Sequence, residues 1–476
     1  MPTINARNPR TGECDYTFEA LDADSIASIC REVRDAQQHW WSAGFDYRQR
    51  ALSRWADEVR KRQDDIVNAL AQDTGRRAIS HEEVGVIAHL IEGYCAVAPE
   101  VLAAPEGRSS SNAEISFENQ YVPYPVVGVI SPWNFPLVLS LLDAIPALVA
   151  GCGAVIKPSE VTPRFIDPLM QSIEAVPELA AVLRYVKGGG DTGRAMIDQV
   201  DAVVFTGSIE TGIKVAQAAA GNLIPAFLEL GGKDPAVVLN GADLDRAATA
   251  ILRSAIYNAG QVCYAIERVY VDRSVHDELV AKLVEGAQSL SLNYPDIRKG
   301  QVGPFIFAKQ ADIIESQLEE ARAKGATVLT GGVLERHEGG VWLPPTVVTQ
   351  VNHDMRLMTE ETFGPVVPVM AFDSEEQAVA LANDTRYGLS GAVFAESITQ
   401  GAELARRIDA GGISINDTEL PRTISLDGEK MAFKKSGMGG SRYGARSMLR
   451  YTRKKAIIKN PGSINALDAL SEQQVT

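Results

Sequence analysis

Between Val126 and about Asn240, short apolar runs alternate with helical stretches, and this alternation restricts the fold more than any other feature of the chain. Val126 to Ile130, Ala154 to Ile156, Ala202 to Phe205, Phe227 to Leu228 and Ala236 to Leu239 read as strands. Helical patterns such as 136–150 and 209–220 lie between them. Strand and helix in alternation build a parallel, doubly wound sheet, and such sheets bind ligands beyond the carboxyl ends of their strands. After Asp243 the alternation resumes through Val269 to Val271, a helix around 274–290, Thr327 to Leu329 and Val366 to Phe372. A second α/β domain is therefore expected. The first ~110 residues read as helical. Ile26, Ile29, Cys30, Val33, Ala36 and Trp40 share one face behind a capping Asp22 or Asp24, and Leu52, Trp55, Ala56 and Val59 share another. Residues 112–125 alternate like a strand, and Lys455 to Lys459 form one more before a polar tail.

The length of 476 residues leaves room for two large domains. A formal net charge of −15 argues against broad attraction to nucleic acid or to an anionic membrane. The basic run Arg450 to Lys455 reads as a solvated strand edge. No basic-then-apolar segment follows Met1, and no run approaches the roughly 18 uninterrupted apolar residues of a spanning helix. The five cysteines are odd in number and show no paired spacing, which predicts free thiols and a reducing, cytoplasmic setting. The six histidines form no ligand pair at metal spacing, so no metal site is expected.

Cys263, in Asn258-Ala-Gly-Gln-Val-Cys-Tyr264, reads either as a small buried residue or as a thiolate nucleophile. Sulfur suits attack on a carbonyl carbon, and such a nucleophile needs a base and oxyanion donors nearby. Glu229, in Phe227-Leu-Glu-Leu-Gly-Gly-Lys233, ends an apolar strand, where a carboxyl loses solvation and can serve as base or can simply cap the strand. Asn134, in Ser131-Pro-Trp-Asn-Phe-Pro136, sits at a strand-to-helix turn as an oxyanion donor or a helix N-cap.

For a dinucleotide, Gly188-Gly-Gly-Asp-Thr-Gly193 satisfies G-x-G-x-x-G, but alone it reads as a flexible turn opening a helix at the periphery of the site. Phe205-Thr-Gly-Ser208 is the stronger phosphate site, because Gly207 admits close backbone approach and Ser208 opens a helix whose first amides are free. Lys157 and Glu160, after another strand, could bond ribose hydroxyls or pair with each other at the surface.

These segments, with Glu361-Thr-Phe-Gly-Pro365, Asn383-Asp-Thr-Arg-Tyr-Gly-Leu389 and Ser436-Gly-Met-Gly439, resemble the aldehyde dehydrogenase superfamily in kind and order from about residue 5 to 460. The resemblance implies an NAD(P)-dependent, hydrolytic enzyme that does not acylate coenzyme A and works through a cysteine thiohemiacetal and thioester. Cys263 would attack, the Asn134 amide and the Cys263 N–H would hold the oxyanion, and Glu229 would activate water. Lys157 and Glu160 would hold the adenosine ribose, with Trp133, Gly207 and Ser208 near the pyrophosphate. Glu361 would hold the nicotinamide ribose beside Phe363. Glu160 favours NAD, with NADP possible.

The implied architecture is α/β, with two doubly wound domains and a small β oligomerisation arm. Residues 1–107 and 126–229 would form a Rossmann-like cofactor domain, 230–446 an α/β catalytic domain, 108–125 and 447–460 the arm, and 461–476 the tail. A homodimer or homotetramer follows from the arm. Where many relatives read Pro-Phe-Gly-Gly-x-Lys-x-Ser-Gly, this chain has Glu429-Lys-Met-Ala-Phe-Lys-Lys-Ser-Gly437. Phe135, Val138, Leu142, Val262 and Tyr264 match pocket positions in relatives and point to an aromatic or medium-chain aliphatic aldehyde. No arginine stands among those positions to bind a second carboxylate, which speaks against a semialdehyde. The alternatives are a semialdehyde dehydrogenase and a structural or cofactor-binding protein on the same fold.

Overall fold

In the computed structural model, which describes residues 2–464 and 466–470, the alternation resolves into separate sheets of six and seven strands. Residues 471–476 of the expected tail lie outside the described residues. In the six-stranded sheet, five parallel strands are β1 (Val126–Ile130), β2 (Gly153–Lys157), β3 (Leu183–Tyr185), β4 (Ala202–Thr206) and β5 (Ala226–Glu229). They lie in the order β3-β2-β1-β4-β5, so the winding reverses between β1 and β4. Successive residues bury on opposite faces. Val127, Val129 and Val204 join one core, and Val126, Val203 and Phe205 the other. Both faces are covered, which is why these strands read as nearly continuous apolar runs.

The seven-stranded sheet contains β6 (Asp234–Val238), β7 (Ile266–Asp272), β8 (Thr327–Thr330), β9 (Thr346–Thr349), β10 (Val366–Phe372), β11 (Gly391–Phe394) and β12 (Ile413–Ile415). Its order is β8-β9-β10-β7-β6-β11-β12, and among its strands only β8 runs antiparallel. The chain then returns to the first sheet. β13 (Gly437–Met438) adds an antiparallel strand beside β5 and sets Gly437 opposite Glu229.

Three helices border the crevice at the winding reversal and a fourth, α1 (Arg77–Val101), supports the start of one of them. The three are α2 (Val138–Ala150), α3 (Gly190–Ile197) and α4 (Ile209–Gly221). By length and composition α1 could cross a membrane, yet its Ile87, Ile91, Tyr94 and Ala98 are packed inside the core. The N-terminus of α2 has no cap from its own segment. Glu83 of α1 supplies one, its Oε2 accepting from the N–H groups of Leu137 at 3.0 Å and Val138 at 3.1 Å.

Several elements differ from expectation. The N-terminal region is not helical from the start, since Thr3–Arg7 and Cys14–Glu19 pair as a hairpin. The alternating segment narrows to Ser116–Pro123, flanked by Glu106–Arg108 and by Thr452–Lys459 in a three-stranded antiparallel sheet. The strand Leu183–Tyr185 ends three residues before the Gly188 to Gly193 turn. Arg450 leaves the solvated edge altogether. It joins Arg442 and the Tyr451 hydroxyl on the buried Asp143 carboxylate, at 2.5, 2.6 and 2.8 Å, where paired charge compensates for lost water.

Candidate active site

A cleft of ≈ 730 Å³ opens at the reversal, bounded by loops from the carboxyl ends of four strands. The loop after β1 brings Trp133 and Asn134, that after β2 brings Lys157 and Glu160, and that after β4 brings Gly207 and Ser208, while β5 ends at Glu229. The second sheet contributes Cys263 from ahead of β7, and Glu361 and Phe363 from ahead of β10. The catalytic and cofactor candidates singled out in the sequence thus line one cavity, whereas the expected pocket residues Phe135, Val138, Leu142, Val262 and Tyr264 do not.

The backbone before Cys263 is forced into shape. Asn258, Ala259 and Gly260 lie in the left-handed region at φ 55°, 54° and 72°. A Cβ on Gly260 would sit 2.2 Å from the Gly364 carbonyl carbon, so only glycine fits there. Gln261 pins the turn, its Nε2 donating to the Asn258 carbonyl at 3.0 Å and its Oε1 accepting from Ile306 N–H at 2.9 Å. The Asn134 Nδ2 donates to the Gln261 carbonyl at 2.9 Å, so the amide and the cysteine loop are tied together. One Nδ2 hydrogen satisfies that bond, and the second remains for an acceptor in the cleft. Asn134 is not an N-cap, because Glu83 fills that role for α2. Its own carbonyl accepts from Arg76 at 3.1 Å and from Asn258 at 2.9 Å.

Burial pushes the Cys263 thiol up to about 12. The Lys430 and Arg442 charges pull it down, while Asp234 and Glu361 add to the rise. At neutral pH the resting sulfur is therefore protonated, and attack depends on a proton leaving it. Glu361 is pushed up to about 8 by burial and by Glu267 beside it, against a 3.0 Å hydrogen bond from Gly232 N–H. Glu267 in turn shapes the loop. Its carboxylate accepts from Thr362 N–H and Phe363 N–H, both at 2.7 Å, and from the buried Lys233 ammonium at 2.9 Å. Phe363 is held at φ 55° by these bonds, with its ring edge-on to Trp133 at 5.5 Å.

The cofactor side fits a dinucleotide. Gly207 gives backbone access at the start of α4, whose 13 residues are long enough for a useful N-terminal dipole. Ser208 caps this helix, accepting from Thr211 N–H at 3.4 Å. Lys157 and Glu160 pair at 3.1 Å, but with Lys157 buried rather than at the surface, and both line the cleft. Gly189, Gly190 and Gly193 line the far end, where α3 begins.

Of the expected pocket residues, Phe135, Val138, Val262 and Tyr264 pack together with Tyr257, whereas Leu142 packs into the main core instead. Residues that sequence reasoning missed enter from segment 419–443. The Glu229 charge acts on Arg442 and Tyr443, raising both, and Arg422 lies over the Tyr257 ring at 5.0 Å. The departure noted at 429–437 lies inside that segment but contains none of these three residues. Arg76, Glu83 and Glu267 carry no local motif.

The model of the aldehyde dehydrogenase family matches residues 2–457. The chain belongs to the aldehyde dehydrogenase family. A solved structure provisionally named as aldehyde dehydrogenase PutA, from Anabaena variabilis, is 47% identical with a TM-score of 0.95, covering 98% of this chain and 99% of its own. Betaine aldehyde dehydrogenase from Staphylococcus aureus, solved in complex with NAD+, is 29% identical with a TM-score of 0.91, covering 99% and 94%. A protein from Mycolicibacterium smegmatis, provisionally named as an NADP(+) succinate-semialdehyde dehydrogenase, is 35% identical over 95% of this chain and 89% of its own length. The dehydrogenase is an NAD(P)-dependent oxidoreductase acting on an aldehyde.

Proposed function

We propose that Cys263 is the nucleophile, Asn134 the oxyanion donor and Glu229 the base that recruits water, so that an aldehyde leaves as its carboxylic acid. The supporting observation is the convergence of thiol, amide and carboxyl on one cleft at the winding reversal. The Cys263 sulfur bonds the aldehyde carbon, and its proton departs. The free Nδ2 hydrogen of Asn134 and the Cys263 N–H receive the oxygen, a contribution of roughly 10²–10³ in rate per donor. NAD(P), when bound, supplies the hydride acceptor. Lys157, Glu160, Trp133, Gly207 and Ser208 hold its adenosine and pyrophosphate end, and Glu361 and Phe363 its nicotinamide end. Water that gives a proton to Glu229 then cleaves the thioester on Cys263. NADH absorbance with a panel of aldehydes tests this assignment: Cys263→Ala abolishes it, and full activity in that variant overturns the assignment.

Residues 1–107 and 126–229 serve as cofactor domain and 230–446 as catalytic domain, with β13 crossing back. The exposed strand Thr452–Lys459 pairs along one edge only among the described residues, which supports a homodimer or homotetramer built on the arm. Free cysteines throughout suit a cytoplasmic enzyme.

The apolar cluster of Phe135, Val138, Val262 and Tyr264, close in sequence to Asn134 and Cys263, suits an aromatic or medium-chain aliphatic aldehyde. A second reading, a semialdehyde, is favoured by the cations of segment 419–443, which the pocket positions alone had not revealed. The name of the Mycolicibacterium relative points the same way.

A further inference from the structure

Around the reacting groups, segment 419–443 sets Arg422, Lys430 and Arg442, and two of these charges are already matched. Arg442 is bonded to Asp143 at 2.6 Å and to Thr206. Arg422 lies 3.3 Å from Glu419. Lys430 is different. It is only 7% exposed, and among the described residues its ammonium has neither ion pair nor hydrogen bond.

The position is built rather than incidental. The lysine stem runs over Gly412, where a Cβ would fall 2.9 Å from both Cδ and Cε. The Ser441 hydroxyl accepts from Lys430 N–H at 2.9 Å and lies 2.8 Å from the Tyr443 carbonyl oxygen, fixing the turn. Nζ then stands 5.4 Å from the centre of the Tyr443 ring. The Cys263 sulfur feels the Lys430 charge more than that of any other cation. Asp234 also faces this charge without pairing to it. Its Oδ2 has no partner, and burial pushes its carboxyl up to about 7. A lysine head that forms no ion pair among the described residues, and faces a carboxyl that burial pushes towards its neutral form, is free to receive an anion.

We propose that Lys430 determines specificity by receiving the carboxylate of an aldehyde that carries one at its far end, with the carbon chain laid along Val262 and Tyr264 towards Cys263. This assignment rests on the cysteine mechanism above. It places the anion contact on a lysine of segment 419–443, outside the pocket positions read from the sequence.

The test uses pairs matched in chain length: succinate semialdehyde against butanal, and adipate semialdehyde against hexanal. In the wild type the anionic member of at least one pair has the higher kcat/KM. Lys430→Met lowers that preference by about 10–100-fold, the range of a charged hydrogen bond, mostly through KM. Lys430→Arg restores much of it. The rate of Cys263 alkylation by iodoacetamide is followed in parallel. A wild-type preference for the uncharged member in both pairs overturns the proposal. So does an unmoved ratio in Lys430→Met, or an equal loss on both members with slowed alkylation, which would assign the lysine to the sulfur. Turnover of no aldehyde at all would instead overturn the cysteine mechanism.

Discussion

Glu267 offers the sharpest energetic test of how the cofactor loop is held. Its side chain is 3% exposed and that of Lys233 is not exposed at all, so Glu267→Ala strands a buried ammonium whose remaining bond is to the Thr362 hydroxyl at 2.7 Å. Breaking one partner of such a pair costs about 3–5 kcal/mol. The Thr362 and Phe363 amides are orphaned too, but water entering the vacated space satisfies them in part, so the charge dominates. At about 2–4 °C per kcal/mol for a unit of this size, the melting transition falls by roughly 6–20 °C. Adding Lys233→Met removes the stranded charge and recovers more than half of that loss. The loop does not recover, because Phe363 still lacks the acceptors that hold it at φ 55°. NAD(P) binding, read by fluorescence titration, therefore stays weakened by about tenfold in both variants. A fall below about 3 °C in Glu267→Ala, or a double variant no more stable than the single one, would refute the reasoning.

Two further outcomes follow from burial of charge. Since burial holds the Cys263 thiol near 12, inactivation of the cofactor-free enzyme by iodoacetamide rises roughly tenfold per pH unit from pH 7 to 10, and a plateau below pH 9 contradicts this. Glu361, held near 8, gains its charge as pH rises through that value, and the ionised form is the stronger acceptor for ribose hydroxyls. NAD(P) binding is accordingly tighter at pH 9 than at pH 7, and Glu361→Gln flattens the profile; a wild-type profile that is already flat removes Glu361 from the ribose site.

Much of this site was legible because its parts are local. A strand end, a glycine that admits backbone and a helix start are contiguous, so Phe205 to Ser208 or Ile130 to Asn134 carries its own structural context. Lys430 is not legible in that way. Its meaning depends on Gly412 leaving room for its stem and on Arg422 and Arg442 being matched elsewhere, facts spread across the fold. Glu83 caps a helix more than fifty positions away, which no periodicity reveals. The N-terminal hairpin escaped for another reason: most residues of Thr3–Arg7 and Cys14–Glu19 remain partly or fully exposed, so no apolar pattern marks them.

The central claim is that a carbonyl carbon becomes bonded to the Cys263 sulfur and is released by water activated at Glu229. Glu229→Gln, mixed with NAD and aldehyde, quenched in acid and digested, isolates that bond for mass spectrometry. The predicted result is one acyl group per active site on the peptide containing Cys263, formed together with one equivalent of NADH. An acyl group on another residue, or an NADH burst with Cys263 unmodified, would contradict the mechanism.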